Sequence, residues 1–260
     1  MTREAIIERL AKLDTCAVSD GMDRLGLKGA TFGVRPMWPC PKIVRRAITM
    51  KIKPVGLDKS KQHLGTQAIV AANPGDIIVI DNGGRPDTSC WGGLLSLAAL
   101  TKGISGVVID GACRDVDESR EVGFPVYARA AVPMTARSRV MEESCNREIE
   151  FAGVQVHPGD LVIADGSGIV IIPRAKEEEV VREAEAVTAT EARMAEGIRE
   201  GMSVLEVLER LGYEQMLTRN SRSSQSRWCR MPWIVWEFTG SAWAFNPSLR
   251  VVRRRAGRSP

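Results

Sequence analysis

The chain has 260 residues, 44% of them hydrophobic and 26% charged, the profile of an ordinary globular protein with room for one sizeable core or two small ones. No apolar run approaches the roughly 18 residues a membrane-spanning helix needs. The opening residues MTREAIIERLAKL carry no signal-peptide core. These features argue against a membrane-spanning helix, and a cytoplasmic location is expected. The formal net charge of +4 divides unevenly, because residues 219–260 hold nine arginines and one glutamate and leave the rest of the chain acidic.

In chain order, Ile6, Ile7, Leu10 and Leu13 recur at helical spacing and predict an opening amphipathic helix. Asp14 or Thr15 can cap a second helix that runs through Val18, Met22 and Leu25 to Gly26. AITMKIKPV (47–55) alternates like a strand, and PGDIIVID (74–81) reads as a turn feeding a buried strand. A short apolar helix follows from Gly92 to Lys102, closed by Gly103, and VVID (107–110) is another strand. Asp115 to Val122 predicts a helix closed by Gly123, and FPVYARA a strand after it. PGDLVIADGSGIVIIP (158–173) echoes the earlier PGD turn and strand, either as an internal repeat or as a similar entry into a strand. A long charged helix over 175–200 precedes a last one that starts at Ser203, with Glu206 completing a capping box. Strands alternate with helices between helical ends, so the class is α/β, with one domain over 1–217.

From 218 the composition changes. The segment 218–260 contains four of the six tryptophans (Trp228, Trp233, Trp236 and Trp243) among arginines and no lysine. Such a mixture can stack on nucleic-acid bases or lie at a membrane surface. Because the last helix already closes the domain, the segment is read as an appended tail outside it, and a nucleic-acid partner is not expected.

Cysteines at 16, 40, 90, 113, 145 and 229 form no CxxC pair, which argues against a zinc ribbon or a disulfide framework. With only His63 and His157 available, any metal must take oxygen ligands, which favours a hard cation, Mg²⁺ or Mn²⁺. His63 and His157 are read as loop or cap residues, Cys113 as packing and Asp165 as a turn residue.

The stretch from Gly83 to Arg129 carries the chemistry. Two strands each run into a glycine-containing turn and then a helix, an arrangement that brings free helix N–H groups to strand ends and suits anions. Gly92 and Gly93 open the first helix before Leu94 and Leu95. Arg114 and Asp115 fall at the second transition. From spacing alone two readings stand. Asp115 can be an N-cap bonded to the amide of Glu118, with Arg114 a surface cation. Alternatively, Arg114 is a planar fork for a carboxylate and Asp115 a ligand of a divalent cation that needs only one or two protein carboxylates.

The blocks LDTCAVSDGMDRLGLKGATFGVRPM (13–37), PGDIIVIDNGG (74–84), WGGLLSLAALTKGISGVVIDGACRDVDESREVGFPVYAR (91–129) and PGDLVIADGSGIVIIP (158–173) resemble the RraA-like family. That family includes the 4-hydroxy-4-methyl-2-oxoglutarate (4-carboxy-4-hydroxy-2-oxoadipate) aldolases. The likeness runs in order from about residue 13 to 215, and GVVIDGACRDVDE is its most specific part. It implies a swivelling β/β/α domain assembled as homotrimers or homohexamers, with sites between subunits. It also implies a substrate loop at Gly92, Gly93, Leu94 and Leu95, a substrate-binding arginine at Arg114 and a metal-binding aspartate at Asp115. One position departs from the pattern: aldolase members usually carry Asp or Glu in the loop where this chain has Gly93, and Asp87 or Asp110 are candidate replacements. The resemblance implies a lyase that uses a divalent metal cation to cleave a 4-hydroxy-2-oxo acid to pyruvate, with oxaloacetate decarboxylation as related chemistry. No lysine lies in either turn to form a Schiff base. The alternative within the family is a non-catalytic regulator that binds ribonuclease E.

Overall fold

The computed structural model describes residues 3–56 and 63–212. The expected tail, 218–260, lies outside the described residues. In chain order the elements are α1 (Arg3–Leu10), α2 (Thr15–Arg24), β1 (Arg35–Pro36), β2 (Ile43–Pro54), α3 (Thr66–Ala71), β3 (Ile77–Ser89), α4 (Gly93–Thr101), β4 (Gly106–Cys113), α5 (Val116–Glu121), β5 (Val126–Ala131), β6 (Val140–Cys145), β7 (Ile149–Phe151), β8 (Val154–Val156), β9 (Leu161–Ala164), β10 (Ile169–Ile172), α6 (Glu177–Arg199) and α7 (Val204–Leu211).

Strands β2 to β5 are parallel neighbours in the order β5-β4-β3-β2. All eight residues of β4 are buried, as expected of a strand covered on both faces. The far edge of β2 is shared. Its first residues pair antiparallel with β9, which continues into the β10 hairpin, and its last residues pair with β6. Residues 30–36 then span the gap: Ala30 bridges Val170 of β10, and Arg35 and Pro36 pair with β5. The result is a nearly closed, barrel-like sheet with helices outside it, a mixed α/β fold.

Alternation along the strands sorts the core into three parts. Ile77, Val79, Val108, Tyr127 and Val162 point inward to meet Phe151 of the β7–β8 hairpin. Ile78, Ile80, Val107 and Ile109 point the other way, under Trp91, Ala99 and Phe124 of the α4–α5 flank. Across β9 and β10, Leu161, Ile163, Val170 and Ile172 carry Leu10, Val18, Met22, Val181 and Ala184 of α1, α2 and α6.

The two PGD sequences make the same local turn in different settings. In each, the aspartate carboxylate accepts the backbone N–H three residues earlier, Asp76 from Asn73 and Asp160 from His157, both at 2.8 Å. The following strands flank β2 on opposite edges, β3 parallel and β9 antiparallel, so the echo is a shared turn chemistry and not a repeated unit. Helix starts follow their capping residues: Asp14 accepts the Ala17 N–H at 2.7 Å and Ser203 that of Glu206 at 3.2 Å. Sequence patterning leaves α3, β6 and the β7–β8 hairpin unmarked; β6 in particular lies at an edge with mixed burial. No helix among the described residues is long and apolar enough to cross a membrane.

Candidate active site

The site lies at the carboxyl ends of β3 and β4, where α4 and α5 begin. The Arg114 N–H donates to the Trp91 carbonyl at 2.9 Å and the Cys90 N–H to the Ala112 carbonyl at 3.0 Å, stitching the two strand-to-helix turns side by side. This juxtaposition brings Gly92, Gly93, Arg114 and Asp115 together, although the pairs are more than twenty residues apart in sequence.

Asp115 does not cap its own helix. It occupies the N-cap position of α5 with left-handed backbone angles (φ 54°, ψ 44°), and its side chain makes no capping bond there. The carboxylate turns instead to the neighbouring helix, where Oδ2 accepts the backbone N–H of Gly93 at 3.1 Å and the Nε–H of Arg114 at 3.1 Å. The capping reading of the DVDE sequence is therefore replaced by a cap supplied across the turn to α4, whose positive N-terminal end favours a carboxylate. The Oδ1 atom of Asp115 and the terminal nitrogens of Arg114 make no hydrogen bond among the described residues, and both side chains remain part-exposed.

The loop supplies close approach and free donors. A Cβ on Gly92 would sit 2.6 Å from Asp115 Oδ2, so only glycine lets the carboxylate come this near. Behind it, the amides of Leu94 and Leu95 fall in the first turn of α4, where no intrahelical carbonyl can reach them. The Leu94 side chain is 83% exposed.

Glu118 was missed by the sequence reading. A Cβ placed on Gly93 would overlap Glu118 Oε2, and would lie 3.0 Å from the Glu118 Cβ. The Glu118 carboxylate thus fills the space that a side chain at position 93 would enter. The signal was available, since Glu118 lies three residues beyond Asp115 on a helix and so shares its face. Of the two replacements suggested from sequence, Asp110 is engaged elsewhere. Asp110 points to the opposite face of the sheet, bound to Arg129 Nε and to the Ala152 N–H at 2.9 Å. Asp87 lies on the exposed extension of β3.

The other singled-out residues are structural. Burial pushes the Cys113 thiol up to about 12, so it is held as an uncharged packing group. His157 sits exposed in its turn. Asp165 accepts the Thr15 Oγ–H at 2.7 Å and the Thr15 N–H at 2.9 Å, fastening the start of α2 to the β9–β10 turn. Lys102, at the far end of α4, donates to the Ile69 carbonyl at 2.5 Å and also to that of Val70.

No group of three or more His, Cys, Asp or Glu side chains among the described residues is arranged to hold a metal ion. Asp115 keeps its Oδ1 unbonded and part-exposed, an oxygen donor of the kind taken by Mg²⁺ or Mn²⁺, hard ions that commonly need only one or two protein carboxylates and retain waters. The residues present fit such an ion.

Residues 15–171 match the RraA-like (Aldolase/RraA) family model. A Halalkalibacterium halodurans protein provisionally named a 4-hydroxy-4-methyl-2-oxoglutarate aldolase is 30% identical over 207 residues, covering 79% of this chain and 94% of that one. Protein DlpA of Legionella pneumophila is 30% identical over 214 residues, 82% of this chain, but the match spans only 35% of its own length. Among solved structures, an uncharacterized protein from Pseudomonas syringae superposes with a TM-score of 0.71 at 32% identity, over 78% of this chain and 96% of that one. On sequence and on fold alike, the chain belongs to the RraA-like family.

Proposed function

We propose that the protein is a divalent-metal-dependent lyase that cleaves a 4-hydroxy-2-oxo acid, of the 4-hydroxy-4-methyl-2-oxoglutarate class, to pyruvate. The observation that carries the reading is the turning of the Asp115 carboxylate away from its own helix and onto the Gly92–Gly93 turn, beside Arg114 and Glu118. Retro-aldol cleavage removes the 4-hydroxyl proton, breaks the C3–C4 bond and leaves an electron pair that delocalises onto the C2 carbonyl before C3 is protonated. A bound Mg²⁺ or Mn²⁺ supplies Lewis acidity toward the oxygens of the 2-oxo acid.

The chain's own residues do the rest. Asp115, through its free Oδ1, is the residue that would hold the ion. The outer nitrogens of Arg114 form a fork for the substrate carboxylate. The free amides of Leu94 and Leu95 orient the anion and stabilise developing negative charge. Glu118 Oε2 is the carboxylate nearest position 93, where aldolase members usually carry their loop carboxylate, and it is the group we assign to the substrate hydroxyl proton, directly or through one water. Loss of CO2 from oxaloacetate leaves the same kind of electron pair, so this activity belongs to the same proposal. The exposed apolar side chains Leu94, Leu97 and Leu100 of α4, with Val70 of α3, support a homotrimer or homohexamer with the site near a subunit boundary.

The test is pyruvate release from 4-hydroxy-4-methyl-2-oxoglutarate and from oxaloacetate, with Mg²⁺ and with chelator. Turnover that depends on the metal and is lost in Arg114→Ala supports the proposal; turnover indifferent to chelator overturns it.

A further inference from the structure

Two buried serines connect the helices that carry the site. Ser96 on α4 and Ser119 on α5 are 0% and 1% exposed. The Trp91 Nε1–H donates to Ser96 Oγ at 3.0 Å, the two hydroxyls lie 2.9 Å apart, and Ser119 Oγ–H donates to the Asp115 carbonyl at 3.2 Å. The ends of this chain fix its direction. An indole N–H can only donate and a backbone carbonyl can only accept. Ser96 must therefore pass its hydrogen to Ser119, and Ser119 must pass its own to Asp115.

Trp91 thus connects to the Asp115 turn at two points. Its carbonyl receives the N–H of Arg114, immediately before Asp115, and its ring reaches the Asp115 carbonyl through the two serines. The ring is itself locked, 2% exposed and stacked on Phe124 at 6.2 Å between centroids with 16° between planes. What is held is a non-glycine residue with a φ of 54°, a conformation that costs an L side chain energy, though less for aspartate than for most.

We infer that Ser96 and Ser119 are positioning residues: with Trp91 they form a one-way hydrogen-bond relay that fixes the left-handed backbone of Asp115 and so aims its carboxylate at the Gly92–Gly93 turn. The catalytic consequence rests on the role proposed above for Asp115; the conformational one does not.

The experiment uses the full chain with Ser96→Ala, Ser119→Ala, the double variant and Ser119→Thr, whose hydroxyl can still reach the carbonyl four residues back. Amide hydrogen exchange is followed in the metal-free protein, and Mn²⁺ affinity and the kinetics of pyruvate release alongside it. Each alanine variant is expected to speed exchange across residues 91–95 and 114–118, and to weaken Mn²⁺ binding and lower kcat, by about tenfold. Exchange in α6 stays unchanged. Ser119→Thr restores the parent behaviour, and the double variant is no worse than the worse single one, because a relay is broken once.

Unchanged exchange at 91–95 in either folded alanine variant overturns the inference, as does a double variant whose effects are the sum of the two. Should Ser119→Ala fail to fold, Ser96→Ala still decides, since it breaks the same relay at its middle. A parent protein that neither binds Mn²⁺ nor releases pyruvate removes the lyase reading alone, and the exchange data still judge the relay.

Discussion

Asp115 Oδ2 accepts the backbone N–H of Gly93 at 3.1 Å, so the carboxylate at the start of α5 caps the helix beside it rather than its own. The bond ties together two turns that strand pairing has already set side by side, and it gives Asp115 a structural part that can be tested apart from the chemical one proposed for it. Asp115→Asn keeps a side chain that tolerates left-handed backbone but removes the charge. It is expected to fold with a melting temperature close to the parent's and to lose about 10²–10³ in kcat. Asp115→Ala loses the same activity and in addition about 1 kcal/mol of stability, from the strained backbone and the missing cap. Thermal melts and pyruvate-release kinetics on the pair distinguish the two contributions.

The overlap between a Cβ at position 93 and Glu118 Oε2 predicts an exchange of roles. Glu118→Ala is expected to lower kcat by about 10²-fold, within the range for loss of a general acid–base group. Adding Gly93→Asp to that variant returns a carboxylate to the same space and is expected to recover part of the rate. Gly93→Asp alone sets two carboxylates against each other and is expected to lower the rate. Steady-state kinetics on the three proteins check this.

Asp165 predicts an acid limb in the stability profile. Although burial opposes it, the hydrogen bonds from the Thr15 N–H and hydroxyl and from Ser167 and Gly168 hold its carboxyl below the ordinary aspartate range. A carboxyl depressed in the folded state stabilises the fold in full above its unfolded value, near about 3.9, and that contribution is lost as pH falls through the lower folded value. Asp165→Asn should therefore reduce stability at neutral pH by about 1–3 kcal/mol and flatten the loss of stability below about pH 4. Denaturant melts across the pH range measure both.

The contact between α2 and α6 leaves no space for a side chain at Gly21, where a Cβ would lie 2.8 Å from the Ala184 backbone nitrogen. Gly21→Ala must push the helices apart, and an overpacking cost of about 1–3 kcal/mol is expected. Because this interface lies on the opposite flank from the turns, kcat in the surviving folded protein should match the parent's. A lowered melting temperature with unchanged kcat is the result to look for.

Local physics made much of this protein legible in one dimension. The apolar runs IIVI and VVID declare strands buried on both faces, Asp14 and Ser203 announce helix starts, and Gly26, Gly103, Gly123 and Gly212 mark helix ends because left-handed backbone suits glycine. The sequence itself also picked out Gly92–Leu95 and Arg114–Asp115 as neighbours of strand ends. What spacing could not decide was the direction of the Asp115 side chain. Its own helix offered a cap three residues away, and only the packing of α4 against α5 brought a competing N–H, from Gly93, within reach. The same holds for Glu118, which reads as a surface helix residue until Gly93 is folded against it, and for Asp110, which alternation along β4 sends to the other face of the sheet. Periodicity and capping act over a few residues and are written into the chain. The partner of a side chain across two turns depends on how helices and strands stack, and that is settled only when the core closes.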